Sequence, residues 1–206
     1  MGLAQGEQSL STDTLIHRIV RPAVRVIART KITPNHITTL RLFTGVAAAL
    51  AFAVGGTFWP AIGGAVFVAS MLLDRADGEL ARQTRTSSPA GHRYDLVSDC
   101  VSNALALFGI GVGLSGVLGA AGPLLGAVAG AGIGMLFWQI NALRLVRLRG
   151  YAVRPGVVFD PDDAMVLVPV FVWCGAAVPV LMAAAVITPS AALWLGVRGS
   201  GPERAG

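Results

Sequence analysis

The sequence predicts an all-α, polytopic integral membrane protein: six transmembrane helices preceded by an amphipathic interfacial helix. Of its 206 residues, 54% are hydrophobic and 13% are charged, and the mean hydropathy of +0.67 is too high for an ordinary soluble domain. Charged residues are absent from three long stretches, 42–73, 100–143 and 164–197. Because one bilayer crossing takes about 20 apolar residues, each stretch is long enough for two helices.

Helix-breaking residues near the middle of each stretch divide it into a pair of spans. The breakers are Gly55, Gly56 and Pro60 in the first stretch, the glycine-rich segment 113–123 in the second, and residues 175–179 in the third. This division gives six spans within one transmembrane domain, residues 32–198, followed by a flexible tail at 199–206.

The sixteen basic residues indicate how these spans are oriented. They precede or open the first span, separate spans two and three, separate spans four and five, or follow the sixth span, and the three opposite loops contain none. Short cytoplasmic loops collect Lys and Arg, so both termini are expected on the cytoplasmic side of the cytoplasmic membrane. This asymmetry also explains the net charge of +5, which therefore gives no reason to expect nucleic acid binding.

The segment before the first span divides into two parts. Residues 1–10 are polar, lack a signal-peptide pattern and are predicted to be disordered. Residues 11–31 are predicted to form an amphipathic juxtamembrane helix, with apolar side chains on one face and arginines on the other, and Pro22 is expected to bend it. Such a helix suits the membrane interface. A signalling or partner-binding helix is the alternative.

Four aspartates lie at the cytoplasmic ends of predicted spans two and three. Asp74 and Asp77 are three residues apart, and Asp95 and Asp99 are four apart, so each pair shares one face of a helix. In an antiparallel pair of helices these carboxylates converge and repel one another, which calls for compensating cations. Oxygen ligands favour Mg²⁺, Mn²⁺ or Ca²⁺, and two such ions cancel the four charges.

The residues around these aspartates favour a phosphate-containing ligand. Gly78 and Ala81 leave room beside the backbone after Asp77, and Arg82 supplies a positive fork for phosphate. Two metal ions that share carboxylates are a recurring means of binding a diphosphate, so a nucleotide diphosphate is the favoured ligand. The alternative is a structural salt-bridge network between the aspartates and nearby arginines, namely Arg75, Arg82, Arg85 and Arg93.

This pattern resembles the signature of the CDP-alcohol phosphotransferase (CDP-alcohol phosphatidyltransferase) family of membrane enzymes. Every signature position is filled, by Asp74, Asp77, Gly78, Ala81, Arg82, Gly91, Asp95 and Asp99. The resemblance implies divalent-metal-dependent transfer of a substituted phosphate, usually phosphatidyl, from a CDP-linked donor such as CDP-diacylglycerol to an acceptor hydroxyl. CMP is released, and the reaction belongs to phospholipid biosynthesis. A CDP-linked small alcohol as donor, with a lipid acceptor, is an alternative.

The resemblance also implies residue roles. Asp74, Asp77 and Asp95 would hold one Mg²⁺ or Mn²⁺ ion, and Asp74, Asp95 and Asp99 a second. Asp99 would in addition be the general base that takes the proton of the acceptor. The implied donor-binding residues are Asn35, Thr38, Gly78, Ala81, Arg82, Ser88 and Gly91. Capping of the first span by Thr33 or Asn35, and an ordinary loop at Ser88, are the competing interpretations.

The acceptor is less well defined by the sequence. The candidate acceptor-binding residues are Arg41, Arg144, Arg147 and Arg154. Such arginines would suit a phosphorylated acceptor such as glycerol 3-phosphate or an inositol phosphate, while serine or a lipid hydroxyl stays open. Positive-inside bias explains the last three equally well, and snorkelling explains Arg41. The acidic group at 160–163 either favours the start of span five or shapes the acceptor pocket.

Two other classes of function are compatible with intramembrane carboxylates. A cation or proton transporter would place them near the bilayer midplane with access from both sides, whereas here they lie at the cytoplasmic ends of the spans. A relative of the enzymes that has lost activity and serves as a scaffold is the second. The Gly/Ala-rich spans also permit the close packing of a homodimer.

Overall fold

The computed structural model of this chain describes residues 15–141, 151–154, 157–159 and 165–199. The predicted disordered segment 1–10, residues 200–206 of the predicted tail, Arg144, Arg147 and the acidic group at 160–163 lie outside the described residues. The helices are α1 (Leu15–Ile27), α2 (Pro34–Val54), α3 (Phe58–Thr84), α4 (Pro89–Gly113), α5 (Ser115–Leu118), α6 (Ala121–Asn141), α7 (Leu167–Trp173) and α8 (Ala177–Gly199).

The predicted breakers separate these helices. Gly55, Gly56 and Gly175 all have φ near +75°, a backbone conformation that glycine adopts without strain. They lie in the turns between α2 and α3 and between α7 and α8. The glycine-rich segment after α4 contains the short helix α5 and leads into α6. The predicted helical class is therefore confirmed, and turns separate the helices at the predicted glycines.

A short β-hairpin lies between α6 and α7 along the chain. Strands β1 (Tyr151–Arg154) and β2 (Val157–Phe159) pair antiparallel, with Tyr151 opposite Phe159. No strand was predicted here from the sequence, which was noted only for its basic residues. β-Branched and aromatic residues on both sides of a Pro-Gly dipeptide are a recognised hairpin signal, which explains the pairing.

Four of the described helices are long and apolar enough to cross a membrane: α2, α4, α6 and α8. Helix α3 has 27 residues, but charged side chains from Asp74 onward reduce the apolar character of its second half. Helix α7 has seven residues, too few for a span by itself. Large apolar side chains such as Phe43, Leu50 and Leu193 are exposed on the bundle, as expected of a lipid-facing surface. The count of six spans stays a prediction.

The packing order of the helices positions the polar residues. Helix α2 packs between α3 and α4, α4 packs on α6, α6 packs on α8, and α7 packs on α3. A central apolar core is formed by buried side chains that include Phe52, Phe67, Leu107, Ile110 and Leu181. Since the core fixes α2 against both aspartate-bearing helices, the polar ends of α2, α3 and α4 meet at one end of the bundle.

Helix α1 is present and amphipathic, and part of its apolar face contacts the protein itself. Val20 and Val24 are buried against Ile37, Ala76 and Leu80. Arg25 and Arg29 are exposed on the opposite side. The helix therefore rests on α3 beside the aspartates, and its location at the membrane interface stays a prediction.

Candidate active site

Three of the four aspartates converge as predicted. One carboxylate oxygen from each of Asp74, Asp77 and Asp95 lies within 4.8 Å of the other two. Asp77 is only 3% exposed and accepts a hydrogen bond of 2.7 Å from the hydroxyl of Thr38, which fixes its orientation. Three convergent carboxylates are a hard, all-oxygen donor set, so these residues fit Mg²⁺ or Mn²⁺.

Arg41 lies among the aspartates rather than at a separate acceptor site. Its Nη1 atom is 2.8 Å from Oδ1 of Asp74 and 2.9 Å from Oδ1 of Asp95, and its Nη2 atom is 2.5 Å from Oδ1 of Asp99. The Arg41 side chain is 3% exposed. Asn103 also donates to Oδ1 of Asp99, at 2.9 Å. Arg41 therefore contacts three of the four carboxylates, and the sequence analysis gave it a different role.

Among the ion pairs of the described residues, Arg75 represents the predicted salt-bridge alternative, whereas Arg82 pairs elsewhere. Of the arginines it named, Arg75 has its Nη1 atom 3.5 Å from Oδ2 of Asp74. Arg82 instead donates to Oε2 of Glu79, at 2.9 Å. Carboxylates this close together repel one another when ionised, and a divalent cation as well as a guanidinium relieves that repulsion.

A cavity of about 560 Å³ opens beside the carboxylates. Asp77 and Asp95 line it, and six of the seven predicted donor-binding residues line it as well: Asn35, Thr38, Gly78, Ala81, Ser88 and Gly91. The seventh, Arg82, is not among the lining residues and has a half-exposed side chain. The structure therefore gathers the predicted donor residues in one place, with Arg82 pointing its charge toward Glu79.

Two helix N-termini face this cavity. Thr33 is the N-cap of α2 and is followed by Pro34, while Ser88 is the N-cap of α4 and its hydroxyl accepts a 3.0 Å hydrogen bond from the backbone of Gly91. All four residues line the cavity. Backbone N–H groups and the helix dipole at such ends favour anions, so the cavity suits a phosphate group. Capping falls to Thr33, which leaves the side chain of Asn35 for the cavity.

Several cavity residues escaped the sequence analysis. They are Thr30, Lys31, Ile32, Thr84, Thr86, Ser87 and His92. Lys31 adds a positive charge at the mouth of the cavity. Its position beside the Thr33-Pro34-Asn35 segment was a usable signal, because a basic residue next to a helix N-terminus strengthens anion binding.

Glu79, which lies outside the cavity lining, was also not predicted from the sequence. Its side chain is 10% exposed, and Oε1 lies 3.5 Å from Nε of Arg21 on α1. Arg82 and Gln83 each donate to it at 2.9 Å. Glu79 therefore links α1 to the turn of α3 that carries Gly78. Glu79 is not one of the eight signature residues, so the signature gave no reason to single it out.

Comparison with known proteins identifies the family. The model of the CDP-alcohol phosphatidyltransferase family matches residues 31–189. The chain belongs to the CDP-alcohol phosphatidyltransferase family. It is a phosphotransferase of phospholipid biosynthesis, and its apolar helices identify an integral membrane protein. No curated protein matches the chain.

Two solved structures share the fold of this CDP-alcohol phosphatidyltransferase. One is phosphatidylinositol phosphate synthase of Mycobacterium tuberculosis with CDP-DAG bound, with a TM-score of 0.65 and 21% identity over 86% of this chain and 93% of that one. The other is the same synthase in its apo form, with a TM-score of 0.61 and 20% identity over 84% and 94% of the two chains. The resemblance seen in the sequence is therefore confirmed at the level of family and fold.

Proposed function

We propose that this enzyme transfers a phosphatidyl group from CDP-diacylglycerol to an acceptor hydroxyl and releases CMP, with two divalent ions, at the cytoplasmic face of a six-span domain in the cytoplasmic membrane. The observation that carries the proposal is the convergence of Asp74, Asp77 and Asp95, the last two of which line the 560 Å³ cavity. The CDP-DAG bound to the structurally similar synthase supports this choice of donor.

The cavity accounts for donor binding. The N-termini of α2 and α4 would face the diphosphate, with Lys31 adding positive charge. A side chain on Gly78 would meet no other atom within 4 Å, so the backbone there is open to the ligand. The acyl chains of the donor would stay in the bilayer beside the exposed apolar helix faces. Arg82 would turn from Glu79 toward the donor only if that ion pair opened.

The carboxylates would divide between two ions as the family resemblance implies. Asp74, Asp77 and Asp95 would hold one ion, and Asp74, Asp95 and Asp99 the other. Bound Mg²⁺ or Mn²⁺ would supply positive charge that binds the diphosphate and stabilises the charge developing on the departing CMP.

Asp99 is the proposed general base. Its carboxylate would take the proton of the acceptor hydroxyl, whose oxygen then bonds to the β-phosphorus of the donor while the bond from that phosphorus to CMP breaks. Asn103 donates a hydrogen bond to Oδ1 of Asp99, which orients the carboxylate for this transfer. The step balances because Asp99 gains the proton, the acceptor oxygen gains the bond to phosphorus, and CMP leaves with the electrons of the bond that breaks.

The proposed acceptor is a phosphorylated polyol, such as glycerol 3-phosphate or an inositol phosphate. Its support is the basic composition of the sequence around Arg144, Arg147 and Arg154. Arg154 lies on β1, and the other two lie outside the described residues. Arg41, the fourth residue predicted to bind the acceptor, contacts Asp74, Asp95 and Asp99 in the structure. A CDP-linked small alcohol as donor, with a lipid acceptor, stays the second candidate.

A panel of acceptors tests the proposal. Membranes containing the protein are incubated with CDP-diacylglycerol, Mg²⁺ or Mn²⁺ and one acceptor at a time, and the lipid product is identified by mass spectrometry. We expect CMP release with a phosphorylated polyol and no release in EDTA. Absence of CMP release with every acceptor would contradict the proposal, and metal flux into proteoliposomes without a CDP substrate would favour a transporter.

The open position at Gly78 gives a separate prediction. Gly78→Leu is expected to leave the fold intact, because a Cβ atom added there has open space around it, and to project into the donor cavity that Gly78 lines. We expect the KM for CDP-diacylglycerol to rise at least about tenfold, the equivalent of about 1.4 kcal/mol of donor binding. Initial rates of CMP release against donor concentration measure this effect.

The matched control is Gly116→Leu, on α5, where an added side chain likewise meets nothing within 4 Å among the described residues. It lies outside the residues that line the donor cavity. We expect it to keep the wild-type KM. An unchanged KM in Gly78→Leu would show that the donor does not approach this turn of α3.

A further inference from the structure

Arg41 contacts the same carboxylates that the second ion is expected to use. Its guanidinium reaches Oδ1 of Asp74, Asp95 and Asp99, at distances between 2.5 and 2.9 Å. Asp77, which belongs only to the first ion's set, is held by Thr38 instead. The two proposed ligand sets therefore differ: the first faces the donor cavity, and the second converges on a guanidinium.

The space around Arg41 leaves no room for a hydrated ion beside it. A cavity of only about 10 Å³ is lined by Arg41, Asp74, Arg75, Asp99 and two neighbouring residues of the same helices, Met71 and Asn103. That volume holds one water molecule at most. Positive charges on the same three oxygen atoms would also repel strongly in this buried setting. Guanidinium and second ion are therefore alternatives at this position.

The backbone of Arg41 is fixed, whereas its side chain is long. The carbonyl oxygen of Arg41 accepts hydrogen bonds from Ser70 at 3.0 Å and from Thr44 at 2.8 Å. Release of the carboxylates would therefore be a rotation of the side chain, with α2 in place. The diphosphate of a CDP-linked donor adds negative charge next to this cluster and would offset the repulsion between the two cations.

We propose that Arg41 is a positioning residue that serves as an internal counter-cation: it holds Asp74, Asp95 and Asp99 together before the donor binds, and gives way to the second divalent ion when the donor's diphosphate arrives. The inference rests on the two-ion function proposed above. It makes binding of the second ion dependent on the nucleotide, so the complete metal centre forms only with the donor in place.

Counting bound ions tests this inference without any turnover. Purified protein in detergent is titrated with Mn²⁺, with and without saturating CDP, and free Mn²⁺ is followed by electron paramagnetic resonance. We expect wild-type protein to bind one Mn²⁺ per chain without CDP and two with it. We expect Arg41→Gln to bind two without CDP, with an affinity for the second ion raised at least tenfold.

Arg93→Gln is the matched control, since Arg93 is exposed on α4 and its loss changes the net charge equally. It should behave as the wild type, one ion without CDP and two with it. Two ions in wild-type protein without CDP, or one ion in Arg41→Gln, would overturn the inference alone. Absence of Mn²⁺ binding in wild-type protein, with or without CDP, would instead contradict the proposed metal-dependent function.

Folding of the variants is followed by their thermal melting in the same detergent. If the guanidinium holds three carboxylates together, Arg41→Gln should melt at a lower temperature than wild type in EDTA and recover in Mn²⁺, whereas a role unconnected with the ions would leave the loss uncorrected. Should Arg41→Gln fail to fold, the wild-type titration still tests the inference: one ion without CDP and two with it would support it, and two ions without CDP would contradict it.

Discussion

Replacement of Asp99 by asparagine is expected to reduce CMP release by about 10²–10⁴-fold, the usual contribution of a general base. Asparagine keeps the shape of aspartate, and its amide oxygen can still accept the hydrogen bonds from Arg41 and Asn103. It cannot take a proton from the acceptor hydroxyl. The loss should therefore appear in kcat at saturating donor and acceptor.

Donor binding separates this effect from misfolding. Asp77, Asp95 and the residues that line the donor cavity are unchanged in Asp99→Asn, so binding of CDP-diacylglycerol should stay measurable by equilibrium binding. The control is Cys100→Ala, a half-buried neighbour on α4 outside the proposed machinery, which should retain wild-type turnover. Near-normal turnover in Asp99→Asn would move the general base to another residue.

The sequence was sufficient to predict the parts of the site that lie on one helix. The spacing of Asp74 and Asp77 fixes one pair and that of Asp95 and Asp99 another, and a short connection between two helices brings the pairs together. Charge distribution and breakers likewise predicted which ends of the helices meet. These features are local, so periodicity and composition are enough to recognise them.

Contacts between distant segments were beyond the same reasoning. Arg41 was recognised as an unusual intramembrane charge, but its partners lie 33 to 58 residues further along the chain, and only the packing of α2 between α3 and α4 shows them. Glu79 and Arg21 are a similar case, because the docking of α1 on α3 decides their pairing. From the sequence alone, each of these charged side chains could equally have faced lipid headgroups or water.

Segment ends were predictable in type but ambiguous in role. Thr33, Asn35 and Ser88 all suited both capping and ligand binding. In the structure Thr33 and Ser88 are N-caps that also line the cavity, whereas Asn35 lines the cavity without being an N-cap. A hydroxyl at a helix N-terminus stabilises the helix and lies beside any anion bound there, so one residue can serve both purposes.

The close crossing of α2 and α4 underlies the second large effect that we expect. A methyl group added at Gly109 would overlap the backbone carbonyl oxygen of Ala49, and one added at Gly113 would overlap that of Phe52. Small residues thus let the two backbones approach closely, as is common between membrane helices. Because the opposing atoms belong to the backbone, no side-chain rotation relieves the overlap.

Gly109→Ala is therefore expected to destabilise the protein by about 1–3 kcal/mol, the usual cost of overpacking, and to lower the melting temperature in detergent by about 2–12 °C. Gly134→Ala is the matched control: it is also a helical glycine, but an added methyl group meets only the sulfur of Cys100, at 4.0 Å. Equal melting temperatures for the two variants would contradict the close crossing.

The same substitution should weaken catalysis at a distance. Helix α4 carries Asp95, and α3, which also packs on α2, carries Asp74 and Asp77, so moving α4 away from α2 moves one ligand of the first ion away from the other two. We expect the residual activity of Gly109→Ala, measured well below its melting temperature, to require a higher Mn²⁺ concentration for half-maximal rate than wild type. A lowered melting temperature with an unchanged Mn²⁺ requirement would mean that the cluster depends on α3 and α4 alone.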